Sequence, residues 1–276
     1  MTLSTISGST AMKPETLNTP NTPNTPAPAA TEPAAPATSR VQRVRHELKR
    51  RELTVTGVDD VTPNFRRVTL TGESLVDFVS ASFDDHVKLI FAPDADGAPV
   101  MRDYTPRRFD NAARELVIEF AQHGDGPAAA WAAQAQPGHT LTVGGPRGSF
   151  IIPADFAWHL LVGDETALPA VARRLEELPA GTRVIALLNV PESDRRAFST
   201  QAALDLRWVD GDDALLAAAR ALDLPSGEGY AWCAGEAAAM AAVRRILVEE
   251  KGHDRHAIRA SAYWKRGASH HHEHLE

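Results

Sequence analysis

The chain of 276 residues has a single cysteine, Cys233. An intrachain disulfide is excluded, and the composition suits a reducing compartment, for which we expect the cytoplasm. Long apolar runs are missing too: no stretch approaches the ~20 apolar residues of a membrane span, so no membrane association is expected. The first forty residues hold no apolar core of the length a secretion signal needs. Positive charge is in deficit. The net charge of -7 argues against nucleic acid as a partner. The turn at Gly163-Asp164-Glu165-Thr166 lacks the GxGxxG pattern, and no paired groups demand acid–base chemistry, so no catalytic proton mover is assigned.

Residues 1–42 carry three Asn-Thr-Pro repeats (Asn18 to Pro26) and then a Pro/Ala/Thr/Glu run, a composition that predicts a disordered tail. Residues 268–276 form a His-rich tail, either a metal-binding tract or an expression remnant. Between them lie enough residues for two modest domains, expected at 43–153 and 154–267.

The first of these reads as β. Leu53-Thr54-Val55-Thr56-Gly57-Val58, Phe65 to Leu70, His86 to Phe91, Leu116 to Phe120 and His139 to Val143 are short strand-like runs. Asp94-Ala95-Asp96-Gly97 and Gly144-Gly145-Pro146 punctuate them, and the spacing predicts a closed antiparallel barrel. One helix interrupts it, Pro127 to Gln134, entered through Gly126. Beyond about Phe156 strands alternate with helices. Trp158 to Gly163, Val184 to Asn189, Leu206 to Val209 and Tyr230 to Gly235 are strands; helices are expected near 168–178, 212–223 and 236–250. That order predicts a parallel sheet covered on both faces, with ligands beyond the carboxyl ends of its strands.

Arg102-Asp103-Tyr104-Thr105-Pro106-Arg107 places an aromatic ring between cations, beside a hydroxyl. These parts suit a flat ring bearing a phosphate, though an edge strand with solvated arginines fits them as well. His123-Gly124-Asp125-Gly126-Pro127-Ala128 enters a helix whose first N–H groups could face a diphosphate; an ordinary Gly-Pro helix entry is the alternative. Gly163 to Ala170 opens the first strand-to-helix crossing, where a dinucleotide would sit, but with two acidic residues in the turn. Arg195 and Arg196 follow the next strand and could meet a ribose 2′-phosphate or simply be solvated. Arg259 to Gly267 ends the fold with two aromatics among cations.

Taken together, Phe83 to Lys88, Arg102 to Arg107, His123 to Trp131, Gly144 to Phe150, Gly163 to Pro169, Trp232 to Glu236 and Arg259 to Trp264 resemble, in order, the siderophore-interacting proteins. These are flavin-dependent ferric-siderophore reductases of the ferredoxin-NADP reductase superfamily. The resemblance implies a β + α/β fold: an antiparallel FAD-binding barrel, then a parallel-sheet α/β domain for NADPH or NADH. It implies that Arg102, Tyr104, Thr105 and Arg107 hold the flavin, and that His123, Ala128 and Ala129, with Trp131 on the same helix, hold its diphosphate side. Asp164 and Thr166 would line the nicotinamide crevice, with Tyr263 and Trp264 as terminal rings near the flavin. Lys88 and Arg259 would form a cationic substrate pocket, with Lys265 and Arg266 on its rim. The expected partner is a ferric siderophore, with ferredoxin as an alternative electron donor and a monomeric chain. A reductase serving a redox protein, or a siderophore-binding module without redox activity, are the other readings.

Overall fold

The computed structural model describes residues 40–93, 97–122, 126–268 and 273–275. His123 and the Asp94-Ala95-Asp96 part of the expected turn lie outside them.

The antiparallel half contains β1 (Gln42–Arg45), β2 (Arg50–Thr62), β3 (Phe65–Thr71), β4 (Val87–Phe91), β5 (Val100–Tyr104), β6 (Pro106–Asp110), β7 (Glu115–Ala121), α1 (Pro127–Gln134), β8 (Thr140–Gly144) and β9 (Gly148–Ile151). Seven strands form one sheet in the order β5-β4-β8-β2-β3-β7-β6, while β1 and β9 pair apart as a ribbon. Alternation along β2 sends Arg51, Leu53 and Val55 inward and leaves their neighbours exposed. Leu53, Val55, Val68, Leu70, Val87, Leu89, Ile118 and Phe120 fill the interior, and α1 closes it with Ala128 and Ala132. The sheet's edge strands β5 and β6 are consecutive, joined at Thr105. They do not pair with each other, so the expected closed barrel is open along this seam. Pro106 is the first residue of β6, a place where a missing N–H costs the ladder nothing.

The second half runs β10 (Trp158–Asp164), α2 (Leu168–Glu177), β11 (Arg183–Asn189), β12 (Ala203–Val209), α3 (Asp212–Ala221), β13 (Gly229–Glu236), α4 (Ala237–Arg245), β14 (Ile258–Trp264) and β15 (Glu273–Leu275). The strand order is β12-β11-β10-β13-β14-β15, parallel throughout except for β15, which lies antiparallel along β14. Every residue of β10 and β13 is buried, as a sheet covered on both faces requires. One face packs Leu160 and Val162 against Leu215, Met240 and Val243 of α3 and α4. The other packs Leu161, Trp232 and α2 against Phe65 and Phe83 of the barrel, so the two halves share a core. The single helix expected over 236–250 is instead α4 followed by a π-helical turn, Ile246–Glu250. Among the described residues no helix is long and apolar enough to cross a membrane.

Candidate functional site

The seam between β5 and β6 is where the two halves meet. Tyr104, at the end of β5, is half-buried with its ring centroid 4.7 Å from that of Phe120. Phe120 in turn lies 5.6 Å from Trp131 of α1, and Trp131 lies 6.1 Å from Phe91. Trp131 is thus part of the aromatic bed under Tyr104. Desolvation raises the Tyr104 phenol well above its usual range, and it stays neutral. Arg102, two residues back along β5, donates to its neighbour's carbonyl, Met101 O, at 2.9 Å and has no ion pair among the described residues. Thr105 is buried at the seam and bonds to the Tyr263 hydroxyl of β14.

Helix α1 begins beside this bed. Gly126 caps it in an extended conformation, and no side chain caps it among the described residues. Pro127 has no N–H to leave unsatisfied, so the donors at stake are those of Ala128 and Ala129, whose methyls pack into the barrel. Gln122, just before this entry, has a buried Nε2 with no hydrogen-bond partner among the described residues. An aromatic wall, an uncommitted guanidinium, an uncapped helix start and an orphaned amide form a donor set that fits a flavin dinucleotide.

At the carboxyl end of the parallel sheet the acidic turn folds on itself. Asp164 Oδ1 accepts from Thr166 N at 2.9 Å and from the Thr166 hydroxyl. Its Oδ2 accepts from Glu236 N and from Trp264 Nε1, both at 2.8 Å. These four donors occupy Asp164, which knots β10, β13 and β14 together, while the Thr166 hydroxyl keeps its acceptor lone pairs. Close approach explains the glycines. A Cβ on Gly163 would lie 2.5 Å from Ala167 Cβ, and one on Gly235, at φ 153°, would lie 2.5 Å from Asp164 Oδ2. Trp264 is held by this knot with Arg266 over its ring at 5.7 Å, while Tyr263 turns to the barrel seam.

Glu165 is only half-buried, yet its carboxyl is pushed up to about 7, first by desolvation and then by Asp164, with Asp194 and Asp212 adding to it. A raised carboxyl stabilises the fold below its unfolded value of 4.5, and this contribution disappears as pH rises through about 7. Allowing for solvent screening, the ionised side chain costs ~2 kcal/mol above pH 8. Glu165→Gln should therefore melt about 5 °C above the parent at pH 8 and level with it at pH 5. Equal melting temperatures at both pH values would remove Glu165 as the source.

Several cations read as ligand binders are committed elsewhere. Arg196 pairs with Glu119 Oε2 at 2.7 Å and covers the Phe65 ring at 5.3 Å, so it bridges the halves. Arg195 donates from Nε to Val190 O at 3.1 Å. Arg107 pairs with Glu176 of α2 and lies 3.7 Å from Glu119, which also takes Arg67 at 2.7 Å. Arg259, expected in the substrate pocket, is largely buried against the barrel. It is 14% exposed, pairs with Asp84 at 2.7 Å and lies 4.1 Å over Phe150. Lys88 is half-exposed with both Asp103 oxygens at 2.7 Å. Lys265 and Arg266 are exposed at the carboxyl edge of the parallel sheet, where Arg266 pairs with Asp212 at 3.0 Å.

Sequence reasoning missed the residues that join the halves. Arg173 of α2 donates to Ser80 Oγ, Ser80 O and Pro106 O at 2.8, 2.9 and 3.1 Å, gripping the strand after the seam. Asp84 takes Trp232 Nε1 at 3.2 Å as well as Arg259. Asp194 accepts from Thr62 and Asn64 of the barrel. An arginine or aspartate in a helix or loop carries no local sign of so distant a partner.

Known proteins match this arrangement. The family model described as "Siderophore-interacting protein" covers residues 156–267, and that of the "Siderophore-interacting FAD-binding domain" covers 54–99 and 92–150. The chain is 38% identical to an Escherichia coli (strain K12) protein named "NADPH-dependent ferric-chelate reductase", over 81% of this chain and 96% of that one. It is 34% identical to a Vibrio cholerae protein named "Ferric vibriobactin reductase ViuB", over 75% and 86%. The crystal structure of a siderophore utilization protein from T. fusca superposes with a TM-score of 0.78 at 35% identity, covering 83% of this chain and 97% of that one. With its open antiparallel barrel, its FAD-binding segment and the parallel sheet clamped to the seam, the chain belongs to the siderophore-interacting protein family.

Proposed function

We propose that the chain is a ferric-siderophore reductase of the cytoplasm, taking electrons from NADPH through bound FAD and delivering them to chelated Fe(III). The observation that carries this reading is the Thr105–Tyr263 contact. It fastens the flavin segment of the barrel to the carboxyl edge of the parallel sheet, the edge at which such sheets receive nucleotides. The names of the Escherichia coli and Vibrio cholerae relatives support the substrate class and, for the former, the donor.

FAD, when bound, accepts two electrons from the nicotinamide and passes them on one at a time. The chain supplies position and charge. Tyr104, backed by Phe120 and Trp131, is the wall for the ring system, and Arg102 with the N–H groups of Ala128 and Ala129 receives its phosphates. Thr105 and Tyr263 close the seam behind the ring. Arg173 and the Asp84–Arg259 pair hold the parallel sheet at a fixed distance from the wall, which sets how a donor meets the flavin. One NADPH carries electrons for two Fe(III). Reduction loosens the chelate because hard anionic oxygens bind the less charged Fe(II) more weakly.

Anaerobic titration of FAD-loaded protein tests the donor half. NADPH should bleach the flavin band in one equivalent. A flavin that stays oxidised, or a protein that cannot be loaded with FAD, would overturn the reading.

A further inference from the structure

The parallel sheet ends at β12, and among the described residues no strand lies beyond it. Its inner side is fully used. Ala203 N donates to Thr182 O at 2.8 Å, and Val209 O accepts from Val190 N at 3.2 Å. The odd-numbered residues of β12 therefore bond to β11, its parallel neighbour. The N–H and C=O groups of Leu204, Leu206 and Trp208 point outward, along the open edge. Side chains alternate as well. Leu204, Leu206 and Trp208 are half-buried on the face turned to the barrel, where Trp208 stacks on Phe198 with ring centroids 5.9 Å apart. Asp205 and Arg207 are exposed on the other face, and Arg207 donates to Asp205 at 3.2 and 2.7 Å.

The strand Ala203-Leu204-Asp205-Leu206-Arg207-Trp208-Val209 is complementary to its own reverse. Turned end for end about Leu206, Ala203 meets Val209, Leu204 meets Trp208, and Asp205 meets Arg207. An antiparallel partner must set outward-pointing residues opposite one another, because those are the ones with hydrogen bonds to exchange. A centre at Asp205 puts carboxylate against carboxylate, and a centre at Arg207 puts guanidinium against guanidinium. A centre at Leu206 sets opposite charges face to face at both positions. It also places them at non-hydrogen-bonded sites, where facing Cα atoms are closest, about 4.5 Å apart. Leu204, Leu206 and Trp208 of each strand then all have partners for their outward groups.

We propose that β12 is a self-association edge, to which a second copy of this chain adds its own β12, antiparallel about a two-fold axis at Leu206. The contact is isologous, so it closes at two copies instead of growing into a filament. It replaces the monomer expected from the sequence, and it stands apart from the reductase reading. The two parallel sheets become one, with their carboxyl edges facing opposite ways, so each copy keeps its own nucleotide edge. Charges on an open edge discourage strands of other sequence, and this pattern admits its own. A pairing of this length is small beside a standard interface, which makes the association reversible and concentration-dependent.

Sedimentation velocity over a concentration series of the full chain tests the edge. The parent should move from monomer toward dimer as concentration rises. Asp205→Arg leaves arginine at both charged positions, and Arg207→Asp leaves aspartate at both. Each variant alone should self-associate roughly tenfold more weakly than the parent. Mixed, they should form a heterodimer with the parent's affinity, because each supplies the charge the other lacks. That recovery also shows that both variants are folded at this edge. Asp205→Arg/Arg207→Asp in one chain should dimerise like the parent. A parent that stays monomeric throughout, or single variants that associate as well as it does, would overturn the proposal. So would a mixture that recovers nothing, since the register centred on Leu206 requires the exchange.

Discussion

Glu119→Gln should lower the melting temperature by about 10 °C, because it leaves a buried cationic cluster without its counter-charge. The Glu119 side chain is fully buried, with Arg67 and Arg196 each at 2.7 Å and Arg107 at 3.7 Å. Burial alone would push its carboxyl up, but Arg196 and Arg67 outweigh that and hold it below the ordinary carboxylate range. Removing one partner of such a set costs about 3–5 kcal/mol, most of it the desolvated charge left behind. The three arginines come from β3, from β6 and from the loop after β11, so the loss falls on the contact between the two halves. Adding Arg196→Met to Glu119→Gln should recover half or more of the loss, since an apolar side chain over the Phe65 ring needs no counter-charge. Differential scanning calorimetry decides it. If Glu119→Gln melts with the parent, the network is not what holds the halves together.

Tyr104→Ala should weaken FAD binding roughly a hundredfold while the chain stays folded. The ring contributes a stacked wall, worth about 1 kcal/mol beyond the apolar area it covers, and its loss exposes Phe120 to water. Tyr104→Phe should keep the cofactor, because the phenol has no recorded hydrogen-bond partner among the described residues. Flavin released by denaturing purified protein, together with the Kd for added FAD, reads both variants. A Tyr104→Ala protein that retains a full complement of FAD would move the flavin away from this wall.

Much of the fold is local and was readable from the chain. Gly126-Pro127 fixed where α1 begins, and the largely apolar runs of β10, β11 and β13 announced a sheet buried on both faces. The Arg102–Arg107 segment marked the seam because a proline next to a strand has few places to go. The roles of its cations were not readable. Arg196 meets Glu119 across 77 positions, and Trp232 meets Asp84 across 148. Neither pairing leaves a periodic trace, so the ion pairs that Arg196 and Arg259 make across the halves could not be read from the chain. The bonds of Asp164 were hidden for another reason: a polar residue in a turn reads the same in sequence whether or not it satisfies the turn's own donors, as Asp164 does.

The central claim is that electrons travel from a nicotinamide through flavin to chelated iron on this one chain. Stopped-flow mixing of NADPH-reduced, FAD-loaded protein with ferric tris-catecholate, without oxygen and with an Fe(II)-trapping dye present, tests it directly. The account predicts return of the oxidised flavin spectrum with two trapped Fe(II) for each flavin. A flavin that stays reduced before the ferric chelate, yet is reoxidised by ferredoxin, would contradict it and assign the chain to a reductase serving a redox protein.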